Sequence, residues 1–124
     1  MSNGYELRQL PDGGLEFVLD DPVLTSLVID DQVTLRFART DVVIAEPFDL
    51  EVDGVAHHLD PRRHDTLGPI LATYPGTVRW IWASPAGELT IVFMQGQRLV
   101  APGPSVRSAW SVGGVAGPRA TPIP

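Results

Sequence analysis

No cysteine occurs among the 124 residues, which removes thiol nucleophiles, disulfide frameworks and thiolate metal sites together. Lysine is missing as well: all nine basic residues are arginine, so neither a phosphate-cradling loop ending in Gly-Lys nor a Schiff-base amine is available. No stretch approaches the roughly 18 apolar residues of a membrane span, and the opening "MSNGYELRQLPDGG" has neither a basic start nor an apolar run. Positive charge is scarce overall. The formal charge is −6, with 14 acids against 5 arginines in residues 1–65 and 1 acid against 4 arginines in residues 66–124. A net acidic chain repels the phosphate backbone, so nucleic acid is not an expected partner, whereas a basic protein surface is a favoured one. These absences lead us to expect a cytoplasmic protein that avoids membranes.

What is present is a pattern of short apolar runs separated by turn residues. "YELRQLPDGGLEFVL" reads as a leading hairpin about Pro11-Asp12-Gly13-Gly14, and "FDLEVDGVAHHLD" as another about Asp53-Gly54, a strong turn dipeptide. Between and beyond them lie two units that echo each other. At an offset of 56, Thr34, Phe37 and Ala45 recur as Thr90, Phe93 and Ala101, while Val33, Leu35, Val43 and Ile44 fall on Leu89, Ile91, Leu99 and Val100. The preceding strands, "LTSLVID" and "VRWIWAS", align once the second copy is given a hairpin loop two residues longer. Between the copies, Asp60-Pro61 has the form of a helix start. Leu67, Ile70, Leu71 and Tyr74 follow at helical spacing before Pro75-Gly76, which predicts one short helix over 61–74.

Alternation along the strands sorts side chains onto two faces. One face is apolar in both copies: Leu27, Ile29, Val33, Leu35 and Phe37 in the first, Ile81, Ala83, Leu89, Ile91 and Phe93 in the second. The other face differs. The first copy shows Ser26, Val28, Thr34, Arg36 and Ala38, and the second shows Val78, Trp80, Trp82, Thr90, Val92 and Met94. An apolar face with two indoles calls for cover, and three covers are available: the helix over 61–74, the returning segment around Trp110, or a second protein molecule. The candidate interaction surface is therefore Trp80, Trp82, Val92, Met94 and Trp110.

"HHLDPRRHD" is the stretch richest in reactive groups. His57, His58 and His64 are candidate zinc or nickel ligands, with Asp60 and Asp65 beside them. Adjacent strand residues point to opposite faces, however, so His57 and His58 are not expected to share an ion, and Asp60 is better used as a cap. No serine stands in a Gly-x-Ser-x-Gly elbow. Arg62-Arg63, at a helix start where positive charge is disfavoured, calls for a salt bridge to the acidic half or to a partner.

Taken together, "LVIDDQVTLRF", "EPF", "HHLDP", "ELTIVFMQGQRLVAP" and "AWSV" resemble an uncharacterised family of small β-rich domains found mainly in actinobacteria, over roughly residues 24–115. The resemblance implies a β-rich fold and brings no activity with it. The expectation is an α+β domain, mostly antiparallel β, with two related three-stranded units and one short helix in residues 1–112, followed by a Gly/Pro-rich flexible tail over 113–124. The expected function is non-catalytic binding without a cofactor: an immunity-like protein that meets a basic partner, or a homodimer formed through the tryptophan face. The alternative is a small-molecule or metal-binding domain using His57, His58 and His64.

Overall fold

A computed structural model describes residues 4–103 and 109–117. The chain forms a two-layer antiparallel sandwich. In order, its strands are β1 (Tyr5–Gln9), β2 (Leu15–Leu19), β3 (Ser26–Ile29), β4 (Val33–Arg36), β5 (Asp41–Ile44), β6 (Phe48–Val52), β7 (Val55–Leu59), β8 (Val78–Ala83), β9 (Leu89–Phe93), β10 (Arg98–Ala101), β11 (Trp110–Val112) and β12 (Val115–Gly117). One sheet has seven strands in the order β1-β2-β8-β9-β10-β6-β7, and the other has five in the order β12-β11-β5-β4-β3. The alternating apolar positions of both sheets meet in one buried cluster, including Phe17, Leu35, Ile44, Phe48, Leu50, Ile81, Ile91, Leu99 and Trp110.

Both predicted flanking hairpins are present, β1–β2 and β6–β7. The second turns on Asp53 and Gly54, both with positive φ (52° and 81°), the geometry that a two-residue hairpin turn requires.

The two related units are also present, β3-β4-β5 in the five-stranded sheet and β8-β9-β10 in the seven-stranded one. Each is a meander, and each contributes its inner face to the shared core. Their alignment needs three offsets. Ile29 opposes Val33 and Ala83 opposes Leu89, so β3 and β8 correspond at an offset of 54, with Ser26 and Val28 equivalent to Trp80 and Trp82. β4 and β9 keep the offset of 56. Beyond them, Phe37 closes on Thr40 across two residues, whereas Phe93 closes on Gln97 across three, with Gly96 at φ 106°. The last strands therefore correspond at an offset of 57: Val42 matches Leu99 and Ile44 matches Ala101, each pair buried. The constant offset of 56 runs one residue out of register after the turn, and the expected match of Ala45 to Ala101 does not hold. Within β8 a bulge between Val78 and Trp80 sends Val78 inward, opposite Phe93, instead of onto the outer face with the tryptophans.

The expected helix over 61–74 is absent. Two short 3-10 turns, His64–Thr66 and Gly68–Thr73, stand in its place. The reason lies inside the run. Pro69 supplies no N–H and its ring crowds the carbonyl four residues back, while Gly68 before it is steered away from helical torsions and, as glycine, loses the most entropy on being fixed. Leu67 and Ile70 still reach the core, but Leu71 and Tyr74 are exposed, so the segment plugs the core without laying an apolar stripe on a sheet. Asp60 accepts a hydrogen bond from the Arg62 N–H at 3.0 Å and so stabilises a turn, and Arg62 bridges to Glu46 at 3.1 Å within the acidic half.

Past β11, Gly113 and Gly114 turn the chain into β12, so ordered pairing extends to residue 117 within the segment expected to be tail. Residues 118–124 of that expected tail lie outside the described residues.

Candidate interaction face

The outer face of the seven-stranded sheet follows directly from its register. One row across it runs Arg8, Glu16, Trp82, Thr90, Val100, Asp49, His58. The neighbouring row runs from Trp80 through Val92, Arg98 and Glu51 to Ala56, with Glu6 and Val18 paired on the β1–β2 side. The face is thus mostly apolar on β8 and β9, with Trp80, Trp82 and Val92 about Thr90, and carries charge at Arg98 on β10 and along its β1–β2 and β6–β7 margins. Neither 3-10 turn covers it. Trp80 is 46 % exposed and Trp82 half-buried, whereas Thr90 between the strands is buried.

The margins are largely self-paired. Arg8 bonds Glu6 at 3.2 Å, and His58 Nδ1 lies 2.7 Å from Asp49 Oδ1. The Arg79 guanidinium stacks over the Trp80 ring at 4.6 Å. Glu16, Glu51 and Arg98 differ: among the described residues their side chains have no ion-pair or hydrogen-bond partner, although Arg8 and Trp82 are register neighbours of Glu16 and Arg98 is one of Glu51. Glu16, Trp80, Trp82 and Leu10 line a shallow cleft of about 300 Å³.

Of the residues expected on this surface, Trp80, Trp82 and Val92 are brought together. Met94 is exposed beyond the end of β9, where it borders a separate hollow with Val23 and Pro75. Trp110 does not belong to the surface. It is 1 % exposed, its Nε1–H donates to the Gly87 carbonyl at 2.8 Å, and its ring meets Phe17 edge-on at 6.2 Å. An indole whose only polar group is satisfied inside can serve as core. Glu16, Leu10 and Val100 were not foreseen as members of the face, because pairing of β2 to β8 and of β10 to β6 joins segments far apart in the chain; the alternation of each strand was the only available signal.

The three histidines go to three places. His57 and His58 face opposite sides of β7, as expected for neighbours on a strand. His64 Nε2 lies 2.7 Å from the Asp30 backbone carbonyl, which ties the connecting segment to the β3–β4 turn. Among the described residues no three His, Cys, Asp or Glu side chains are grouped to hold a metal ion. A larger, polar groove of about 600 Å³ runs over the β4–β5 turn, lined by Phe37–Asp41, Val43, Ser111, Gly113 and Gly114. Its two charged residues are Arg39 and Asp41, and Asp41 is 3.6 Å from Arg36.

Comparison by family places this β-sandwich within a known group, since one family's model matches residues 15–124. The chain belongs to DUF6188, a family of unknown function. The DUF6188 match begins at β2 and takes in both three-stranded units, the histidine-bearing hairpin and the Trp80–Trp82 strand. No curated protein and no solved structure matches the chain. No helix among the described residues is long and apolar enough to cross a membrane.

Proposed function

We propose that this chain is a non-catalytic interaction domain that docks a basic protein partner on the outer face of its seven-stranded sheet, with Trp80 and Trp82 as anchors. The observation that carries this reading is internal to the fold. Trp80 and Trp82 occupy the positions that Ser26 and Val28 occupy in the first unit, and both pairs lie on faces turned away from the core. A small polar residue therefore suffices at the equivalent place, so packing alone does not call for an indole at 80. Exposed tryptophan is costly in solution and is characteristic of the anchors of protein interfaces.

The basic character of the partner follows from charge. The chain carries −6, and the face offers Glu6, Glu16, Asp49 and Glu51 against Arg8, Arg79 and Arg98. Complementary charge steers association and disfavours a second acidic copy.

Photo-crosslinking from position 80, with position 26 as the matched control, tests the reading. Capture of one basic protein from position 80 and not from position 26 is the expected result, together with its loss in Trp82→Val. Equal capture from both positions would overturn it. A dimer by light scattering that dissociates in Trp80→Ser/Trp82→Val would replace the basic partner with a second copy.

A further inference from the structure

We infer that the cleft between Trp82 and Glu16 is an arginine slot: it receives the guanidinium of one side chain from the partner, flat against the Trp82 indole and edge-on to the Glu16 carboxylate. This rests on the reading of the face as a docking surface and names the chemistry it selects.

Three features converge. Glu16 and Trp82 are direct register partners on β2 and β8, so their Cβ atoms are about 4.5–5.5 Å apart and their side chains rise from the sheet together. That pairing sets an acceptor beside an aromatic face. A guanidinium suits it because it is planar, stacks on rings, and presents a fork of N–H donors to a carboxylate, whereas an ammonium offers only a point charge.

The second feature is that the Glu16 charge is unspent. Its register neighbour Arg8 is engaged with Glu6 at 3.2 Å, and Arg79 lies over the Trp80 ring at 4.6 Å. The Arg79 stack also shows that an indole on this face accepts a guanidinium. Third, the cleft has the right capacity. Its volume of about 300 Å³ is at the bottom of the range for small-molecule pockets, and its walls are two indoles, Leu10 and one carboxylate. Leu10 and the edge of Trp80 can enclose the alkyl stem of an arginine while its head lies against Glu16.

The probe is an acetylated hexa-arginine amide, titrated against the full chain at about 0.15 M salt and followed by tryptophan emission, with hexa-lysine as the equal-charge comparison. At this salt, attraction between exposed charges is largely screened beyond about 8 Å, so the local slot dominates. We expect saturable binding with the arginine peptide tighter than the lysine peptide. Glu16→Gln should weaken it about tenfold or more, the effect of losing one charge-assisted hydrogen bond. Trp82→Val should weaken it similarly, and Trp82→Phe less. Asp31→Asn, which removes an equal charge from the β3–β4 turn, should change it less than twofold.

Equal effects of Glu16→Gln and Asp31→Asn, or equal affinity for the two peptides, would overturn the slot. The two proposals fail separately. If position 80 still captures its partner while Glu16→Gln binds hexa-arginine like the wild type, the face stands and the slot falls. If Glu16 and Trp82 control peptide binding but position 80 captures nothing, the slot stands and the partner reading falls.

Discussion

Replacing Trp110 by phenylalanine tests the division of the three tryptophans into core and surface. The substitution removes two things at once. The first is the Nε1–H that satisfies the Gly87 carbonyl at 2.8 Å; with no donor left, that buried oxygen costs about 1–3 kcal/mol. The second is the volume difference between indole and phenyl at a site 1 % exposed, where a partly collapsed void costs roughly 1 kcal/mol more. Contact with Phe17 at 6.2 Å is retained in weakened form. The sum is about 2–4 kcal/mol, a large share of the roughly 5–15 kcal/mol that holds such a domain together. The same trimming at Trp80, Trp80→Phe, acts on a ring that is 46 % exposed and makes no side-chain hydrogen bond among the described residues, so it should cost about 1 kcal/mol or less. Urea unfolding followed by far-ultraviolet circular dichroism measures both, with unchanged denaturant slopes as the check that only stability has moved. A loss below 1 kcal/mol for Trp110→Phe, or a larger loss for Trp80→Phe, would refute the assignment of one indole to the core and the other to the surface.

Gly54→Ala should lose about 1–2 kcal/mol in the same assay, because the position has φ 81° and the added Cβ meets no neighbouring atom, leaving backbone torsion as the whole cost. At Gly14 the cause is different. An added Cβ would lie 2.5 Å from the Ala83 carbonyl, where β2 pairs β8, so Gly14→Ala should force the strands apart and cost about 2 kcal/mol or more, with amide shifts concentrated on those strands. His58→Ala should change stability by no more than about 0.5–1 kcal/mol, since its contact with Asp49 is solvent-exposed. Purified protein should carry no stoichiometric zinc or nickel by elemental analysis, because His57, His58 and His64 face three different surroundings; one equivalent of bound metal would contradict this.

Much of the fold is legible because strand alternation is a local signal. Val33, Leu35, Ile81, Leu89, Ile91 and Phe93 declare their faces two residues at a time, and Asp53-Gly54 declares its turn with no reference to the rest of the chain. The failures are of two kinds. The spacing of Leu67, Ile70, Leu71 and Tyr74 suggests a helix, but spacing is silent about whether the backbone can supply its hydrogen bonds, and Gly68-Pro69 decides that it cannot. The turns of the two units differ by one residue, and a single insertion shifts every later match, so Ala45 and Ala101 look equivalent in sequence and are not in space. The candidate face was legible only as a stripe on β8 and β9. Its rims and the Glu16–Trp82 pair depend on which strand lies beside which, and that is set by the closing of the whole sheet.

The place of the tryptophans within the sheet also limits the manner of recognition. β8 and β9 are interior strands: β9 is laddered to β8 and to β10, and β8 is laddered to β9 and, at Trp82 and Ala83, to β2. A partner cannot bind there by adding a strand, a mode that needs an open edge. Contact must be made through side chains standing up from the pleat, and affinity should then concentrate in the few large ones. Substitutions at Trp80, Trp82 and Glu16 are accordingly expected to outweigh all changes along the free edge of β7, Val55 included. A partner held instead by the β7 edge would be insensitive to both tryptophans and sensitive to proline placed at Ala56 or His58, which gives the two modes opposite mutational signatures.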